Sequence, residues 1–178
     1  TGVRRCGKST LMRQLLSKVS GNSLFLNFED PRLTAFENDD FRRLDNELKS
    51  RKIKNLFLDE VQMLDNWELY VRQKLDEDFK VVVTGSNASL LSPELGTKLT
   101  GRHQSFELFP FSMNEYLTLK KKKISQQTMT DYMEDGGFPD FLKFKDASIL
   151  QQLLNDILMR DIAVRYGVRD SVSLQRLA

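Results

Sequence analysis

Gly2-Val3-Arg4-Arg5-Cys6-Gly7-Lys8-Ser9 stands almost at the first residue of the chain and matches the pattern G-x-x-x-x-G-K-[ST] at every fixed position. Its residue types are those that gripping a phosphate demands. Glycine at both ends lets backbone N–H groups converge on anionic oxygens without interference from a Cβ. The helix expected from residue 8 aims its unpaired N–H groups and partial positive charge at the same anion. Lys8 reaches the β and γ phosphates, Ser9 offers its hydroxyl to Mg²⁺, and Thr10 falls near the α phosphate. Arg4 and Arg5 fill variable positions, where a surface or partner ion pair is the plain expectation. Cys6 reads as a small filler, since no base that would activate its thiol is identifiable. With glycine at about 7% of residues, a chance match in a chain of this size is roughly a one-in-a-hundred event.

Outward from the loop, helical and extended patterns alternate. Leu11, Leu15, Leu16 and Val19 recur at helical spacing up to Gly21, which predicts an amphipathic helix from residue 8 to about 20. Strands are predicted over Ser23–Phe28, Asn55–Leu58, Phe79–Thr84 and His103–Leu108, with helices near 39–52 and 66–77 and short helical pieces over 88–99. Such alternation implies a parallel sheet covered by helices on both faces. A phosphate loop normally sits between a strand and a helix, and no strand precedes Gly2, so the first strand is expected to be missing from this chain. Beyond Pro110 the strand signal disappears. Helices fit 112–123 and 125–134, Gly136 and Gly137 break the pattern, and 147–165 carries one apolar stripe. Two parts are expected: an α/β nucleotide-binding domain over 1–110 and a small helical domain over 111–178.

The strand Leu56-Phe57-Leu58 runs directly into Asp59 and Glu60. At the carboxyl end of a parallel strand both acids can reach the crevice where ligands bind. Asp59 is placed to hold Mg²⁺, and Glu60 to polarise a water for attack on the γ phosphate. Paired acids after a strand also serve as helix N-caps; the phosphate loop upstream favours the chemical role. Gln62 either orients Glu60 or is a surface amide. Ser86 and Asn87 end the next strand, where a polar side chain either senses the γ phosphate or caps a helix.

Composition narrows the classes. The 178 residues are 40% hydrophobic and 29% charged, enough for a buried core and ordinary for a globular domain. Lys and Arg number 27 against 25 Asp and Glu, a formal net charge of +2, which does not support a nucleic-acid partner by itself. One cysteine forbids an internal disulfide. No apolar run approaches the ~18 residues of a membrane helix, and no targeting segment is visible, so a cytoplasmic location is expected.

Taken together, GVRRCGKSTLM, NLFLDEVQ, VVVTGSNASLL, LTGRHQSFELFPFSMNEY and DGGFPDFL resemble the bacterial and archaeal AAA+ ATPases of the ORC-like branch. The resemblance spans nearly the whole chain. It implies a five-stranded parallel P-loop NTPase sheet of order 5-1-4-3-2 followed by a helical lid, and a C-terminal domain in full-length members. It assigns Gly2 through Ser9 to ATP, Asp59 and Glu60 to metal and water, and Ser86 or Asn87 to a sensor. It also implies that Arg102, in Thr100-Gly101-Arg102, acts as an arginine finger on a neighbouring copy, against the alternative of an intramolecular ion pair. The activity implied is Mg²⁺-dependent hydrolysis of ATP to ADP and phosphate. Two other readings are a nucleotide-gated module that engages a protein partner with little hydrolysis, and a DNA-associated ATPase.

Overall fold

The computed structural model describes residues 1–37, 39–85, 99, 101–163 and 167–168. They fall into two units: Lys8–Glu107 with Thr1, and Gly2–Gly7 with the chain from Leu108 onward.

In the first unit, helix α1 (Lys8–Lys18) follows Gly7 directly and leads to strand β1 (Ser23–Asn27). Pro31 opens a 3₁₀ turn, where its fixed φ suits a first helical position and its missing N–H costs nothing. Helix α2 (Asp40–Ser50) buries Leu44 and Leu48 and returns the chain to strand β2 (Asn55–Asp59). After a second 3₁₀ turn, helix α3 (Trp67–Asp76) leads to strand β3 (Lys80–Val83). The sheet order is β1-β2-β3 and every pairing is parallel: Ser23 lies opposite Asn55, Asn27 opposite Asp59, and Leu58 opposite Val83.

β2 is buried at all five positions, as a central parallel strand covered on both faces must be. Two adjoining apolar clusters enclose it. One holds Phe28, Leu58, Val61, Trp67, Val71 and Leu99; the other holds Leu44, Leu48, Ile53, Leu56 and Tyr70. Phe36 touches both, and rings run edge to face from Phe28 through Phe36 to Phe41, which stacks on Tyr70. Helix α1 packs on β2, but it buries Lys8 and Met12, while Leu11, Leu15 and Val19 stay exposed. The helical spacing was legible; which side of the helix faces the core was not.

In the second unit, helix α4 (Met113–Lys120) starts at a capping box between Ser112 and Glu115, and helix α5 (Gln126–Asp135) at one between Ser125 and Thr128. Buried Tyr116 donates from its hydroxyl to Asp135 at 2.8 Å and meets Tyr132 edge to face; burial, then that hydrogen bond, push the Tyr116 phenol up to about 12. The break at Gly136 and Gly137 is a close approach. The Phe111 amide donates to the Gly137 carbonyl at 2.8 Å, and a Cβ on Gly137 would stand 2.3 Å from the Phe111 carbonyl oxygen. Helix α6 (Pro139–Phe144), absent from the sequence reading, follows at once with Pro at its first position. The apolar stripe beyond it divides into helix α7 (Ala147–Asp156), capped by Asp146, and a π-helical stretch over Ile157–Ala163.

The strand expected over His103–Leu108 does not form. These residues take no regular secondary structure and are largely exposed, and among the described residues their one bridge is the parallel pairing of Leu108 with Gly2. Their sequence suits a strand, but a strand exists only through a partner's hydrogen bonds. The helical pieces expected over 88–99 lie outside the described residues, Leu99 excepted.

Candidate nucleotide-binding site

The loop is built on two glycines used differently. Gly2 has φ +140°, and a Cβ there would lie 2.2 Å from the Leu108 carbonyl oxygen, so only glycine fits. Gly7 has φ +105° and open space where a Cβ would point. Its requirement is purely conformational, and the backbone there is free to be approached. Arg5 is also left-handed, at φ 58°, and its guanidinium lies 3.7 Å from the Asp140 carboxylate. Cys6 is buried, with its amide turned to the Val3 carbonyl, as a filler would be.

Lys8, Ser9 and Thr10 form the first turn of α1. That turn carries no acidic residue, so its N–H groups and partial positive charge face no compensating carboxylate of its own. Lys8 is buried, Ser9 half-buried and Thr10 exposed.

Both acids at the end of β2 are buried, Asp59 as its last residue and Glu60 just beyond it. Asp59 is fully buried. Its Oδ1 accepts a hydrogen bond from the Thr84 hydroxyl, while its Oδ2 is buried with no hydrogen-bond partner among the described residues. Glu60 takes a left-handed conformation, φ 55° and ψ 46°, at a cost of about 1–2 kcal/mol for a residue with a side chain. That turn breaks the strand alternation that would send the two acids to opposite faces. The Glu60 carboxylate accepts from Gln62 Nε2 at 2.5 Å, and its amide lies 3.4 Å from the Thr84 hydroxyl oxygen. Of the two readings of Gln62, the structure shows the one in which it contacts Glu60.

The orphaned oxygen is a test of metal fit. An unpaired carboxylate oxygen in a buried site is costly unless a cation or donor supplies its partner. Among the described residues there is no group of three or more His, Cys, Asp or Glu that could enclose a metal. Mg²⁺ suits such a place, because it is commonly held by one or two protein oxygens with the rest from phosphate and water. The residues present fit that ion.

Thr84 was missed by the sequence reading, which took it as the last residue of a strand. The missing signal was register: Leu58 opposite Val83 brings Thr84 beside Asp59. The sensor candidates Ser86 and Asn87 lie outside the described residues. Arg102 is exposed and makes the intramolecular ion pair that was its alternative reading, 2.5 Å to Asp76. Among the described residues no helix is long and apolar enough to cross a membrane.

Residues 1–117 match a family model described as an AAA domain. An uncharacterized protein of Methanocaldococcus jannaschii is 33% identical over 186 residues, an alignment covering 95% of this chain and 42% of the relative. An uncharacterized protein of Haemophilus influenzae is 34% identical over 188 residues, covering 96% of this chain and 47% of the relative. The chain therefore spans somewhat under half the length of these curated relatives.

Proposed function

The chain belongs to the AAA-domain family of P-loop ATPases, and on that premise we propose that it binds ATP with Mg²⁺ and hydrolyses it to ADP and phosphate. The observation that carries this reading is Asp59: a fully buried carboxylate at the end of the central strand, with one oxygen that has no hydrogen-bond partner among the described residues.

Backbone amides of Gly2, Val3, Arg4, Arg5, Cys6 and Gly7 cradle the phosphates, continued by the first amides of α1. Lys8 neutralises the β and γ phosphates, and Thr10 lies toward the α phosphate. Ser9 and Asp59 hold the metal, which when bound supplies positive charge to the oxygens of the triphosphate. Glu60 takes a proton from a water as that water's oxygen forms a bond to the γ phosphorus, and the bond from phosphorus to the β–γ bridging oxygen breaks, releasing ADP. Ser86 or Asn87 acts as sensor of the γ phosphate. Arg102, freed from Asp76, completes a neighbouring copy's site as an arginine finger. That ion pair is mostly exposed, so it opposes such a release by about 0–1 kcal/mol. The ORC-like branch, the sheet order 5-1-4-3-2 and a lid formed by the helices after Pro110 belong to the same proposal. What supports that sheet order is that β1, β2 and β3 lie side by side and parallel in sequence order, as its 4-3-2 portion requires.

The test uses the full-length protein. Glu60→Gln is expected to keep ATP affinity and lose at least about a hundredfold in phosphate release. Unchanged turnover removes Glu60 from the chemistry. Lys8→Ala is expected to abolish nucleotide binding. The Gln62 contact favours a second reading, in which Glu60 is held in a resting state and ATP occupancy gates a partner surface. Gln62→Ala raising basal turnover supports the gate; a fall in turnover makes Gln62 an aid to the chemistry.

A further inference from the structure

We propose that Thr84 is a positioning residue that leaves Asp59 a single open oxygen and thereby favours Mg²⁺ over Ca²⁺ in the nucleotide site. The inference rests on the Mg²⁺–ATP reading above and adds to it a residue and a selectivity.

Thr84 is held on one side by the neighbouring strand and on the other by the 3₁₀ turn that follows it. Its amide donates to the Leu58 carbonyl at 2.9 Å, and its carbonyl accepts from the Val61 amide at 3.0 Å. The backbone is thus pinned immediately before and after the two acids, and a β-branched side chain adds a stiff χ1. The hydroxyl has one proton to give. A carboxylate can only accept and a backbone amide can only donate, so the polarity is forced: Thr84 Oγ1 donates to Asp59 Oδ1 and faces the Glu60 amide as acceptor. One buried hydroxyl therefore occupies one oxygen of Asp59, meets the residue that turns out of the strand, and leaves Oδ2 without a hydrogen-bond partner among the described residues.

That division has a consequence for ion choice. Mg²⁺ demands near-ideal octahedral geometry and takes carboxylates through one oxygen, whereas Ca²⁺ accepts six to eight ligands and readily takes a carboxylate through both. With Oδ1 engaged by Thr84, Asp59 offers the first kind of ligation. Without the hydroxyl, both oxygens are open and the second kind becomes available.

Binding of a fluorescent ATP analogue to the full-length protein, measured in EDTA, in Mg²⁺ and in Ca²⁺, tests this without relying on turnover. Wild type is expected to gain more affinity from Mg²⁺ than from Ca²⁺. Thr84→Val should leave affinity in EDTA unchanged, reduce the Mg²⁺ gain about tenfold, the worth of one charge-assisted hydrogen bond, and keep or raise the Ca²⁺ gain. Thr84→Ser, which keeps the hydroxyl, should restore the wild-type ratio. A wild-type ratio in Thr84→Val, or an equal loss in all three conditions, overturns the proposal. If Thr84→Val does not fold by circular dichroism, Thr84→Cys decides: its weak donor should give an intermediate ratio, and a wild-type ratio again overturns it. Wild type that binds no nucleotide defeats the ATP reading and this inference together, while metal-dependent binding indifferent to Thr84 defeats this inference alone.

Discussion

Two buried charged clusters lie within the first unit, and they end differently. Around Lys74 everything is paired. Its ammonium is 2% exposed, 2.7 Å from Asp45 and 2.7 Å from Glu77, with the rings of Tyr70 and Phe79 at 5.2 and 5.4 Å. Tyr70 donates to Asp45 at 2.9 Å. Burial first, then that hydrogen bond, raise the Tyr70 phenol. The hydrogen bond from Lys74 first, then the one from Gln73, hold the Glu77 carboxyl below its usual value. Around Asp59 the pairing stops one oxygen short among the described residues. Both clusters bear the cost of taking charge out of water, but among the described residues only the first is fully repaid. A buried charge that is closed on all sides ties elements together; one left open points to a ligand.

The largest expected effect separates the two at once. Asp59→Asn keeps an oxygen for Thr84 and removes the uncompensated charge. It should cost at least about a hundredfold in Mg²⁺-dependent ATP affinity while leaving the urea midpoint equal or higher. A midpoint that falls sharply would assign Asp59 to folding and erase the contrast. Lys74→Met should do the reverse, lowering stability by about 3 kcal/mol, the low end for a broken buried pair because Asp45 and Glu77 keep some contact with water, with the metal-dependent gain in nucleotide affinity unchanged. Gly137→Ala probes the second unit, where a Cβ would meet the Phe111 carbonyl; a loss of about 2 kcal/mol with intact strands in the first unit is expected from overpacking.

The smallest effect is a pH dependence. Because the folded Glu77 carboxyl sits below its usual 4.5, its contribution is present above the unfolded value and is lost as pH falls through the folded one. Urea midpoints measured downward from pH about 5 should therefore decline less steeply in Glu77→Gln than in wild type. Parallel curves would show that Lys74 holds Glu77 in the unfolded chain equally well.

Much of the fold was written locally. The phosphate pattern, the apolar run into Asp59 and Glu60, and the break at Gly136 each place an element boundary within a few residues, because glycine, proline and hydrophobic period act over short stretches of chain. His103–Leu108 has the same kind of pattern and forms no strand, since pairing is a property of two segments and not of one. Helix α6 was hidden because six residues are too few to show a period, and only Pro139 marks its start.

The sequence alone determined which residues carry charge, which carry flexibility, and that a glycine-bounded loop runs into a helix at Lys8 and Ser9 while a strand runs into two acids. Tertiary structure alone decided that Thr84 stands beside Asp59, that Gln62 reaches back to Glu60, and that Arg102 pairs with Asp76. The reason is physical. Residue type and local spacing are fixed along the chain, but a hydrogen bond between positions 59 and 84 depends on the register of two strands, which is set only when the whole apolar face of the sheet is buried at once.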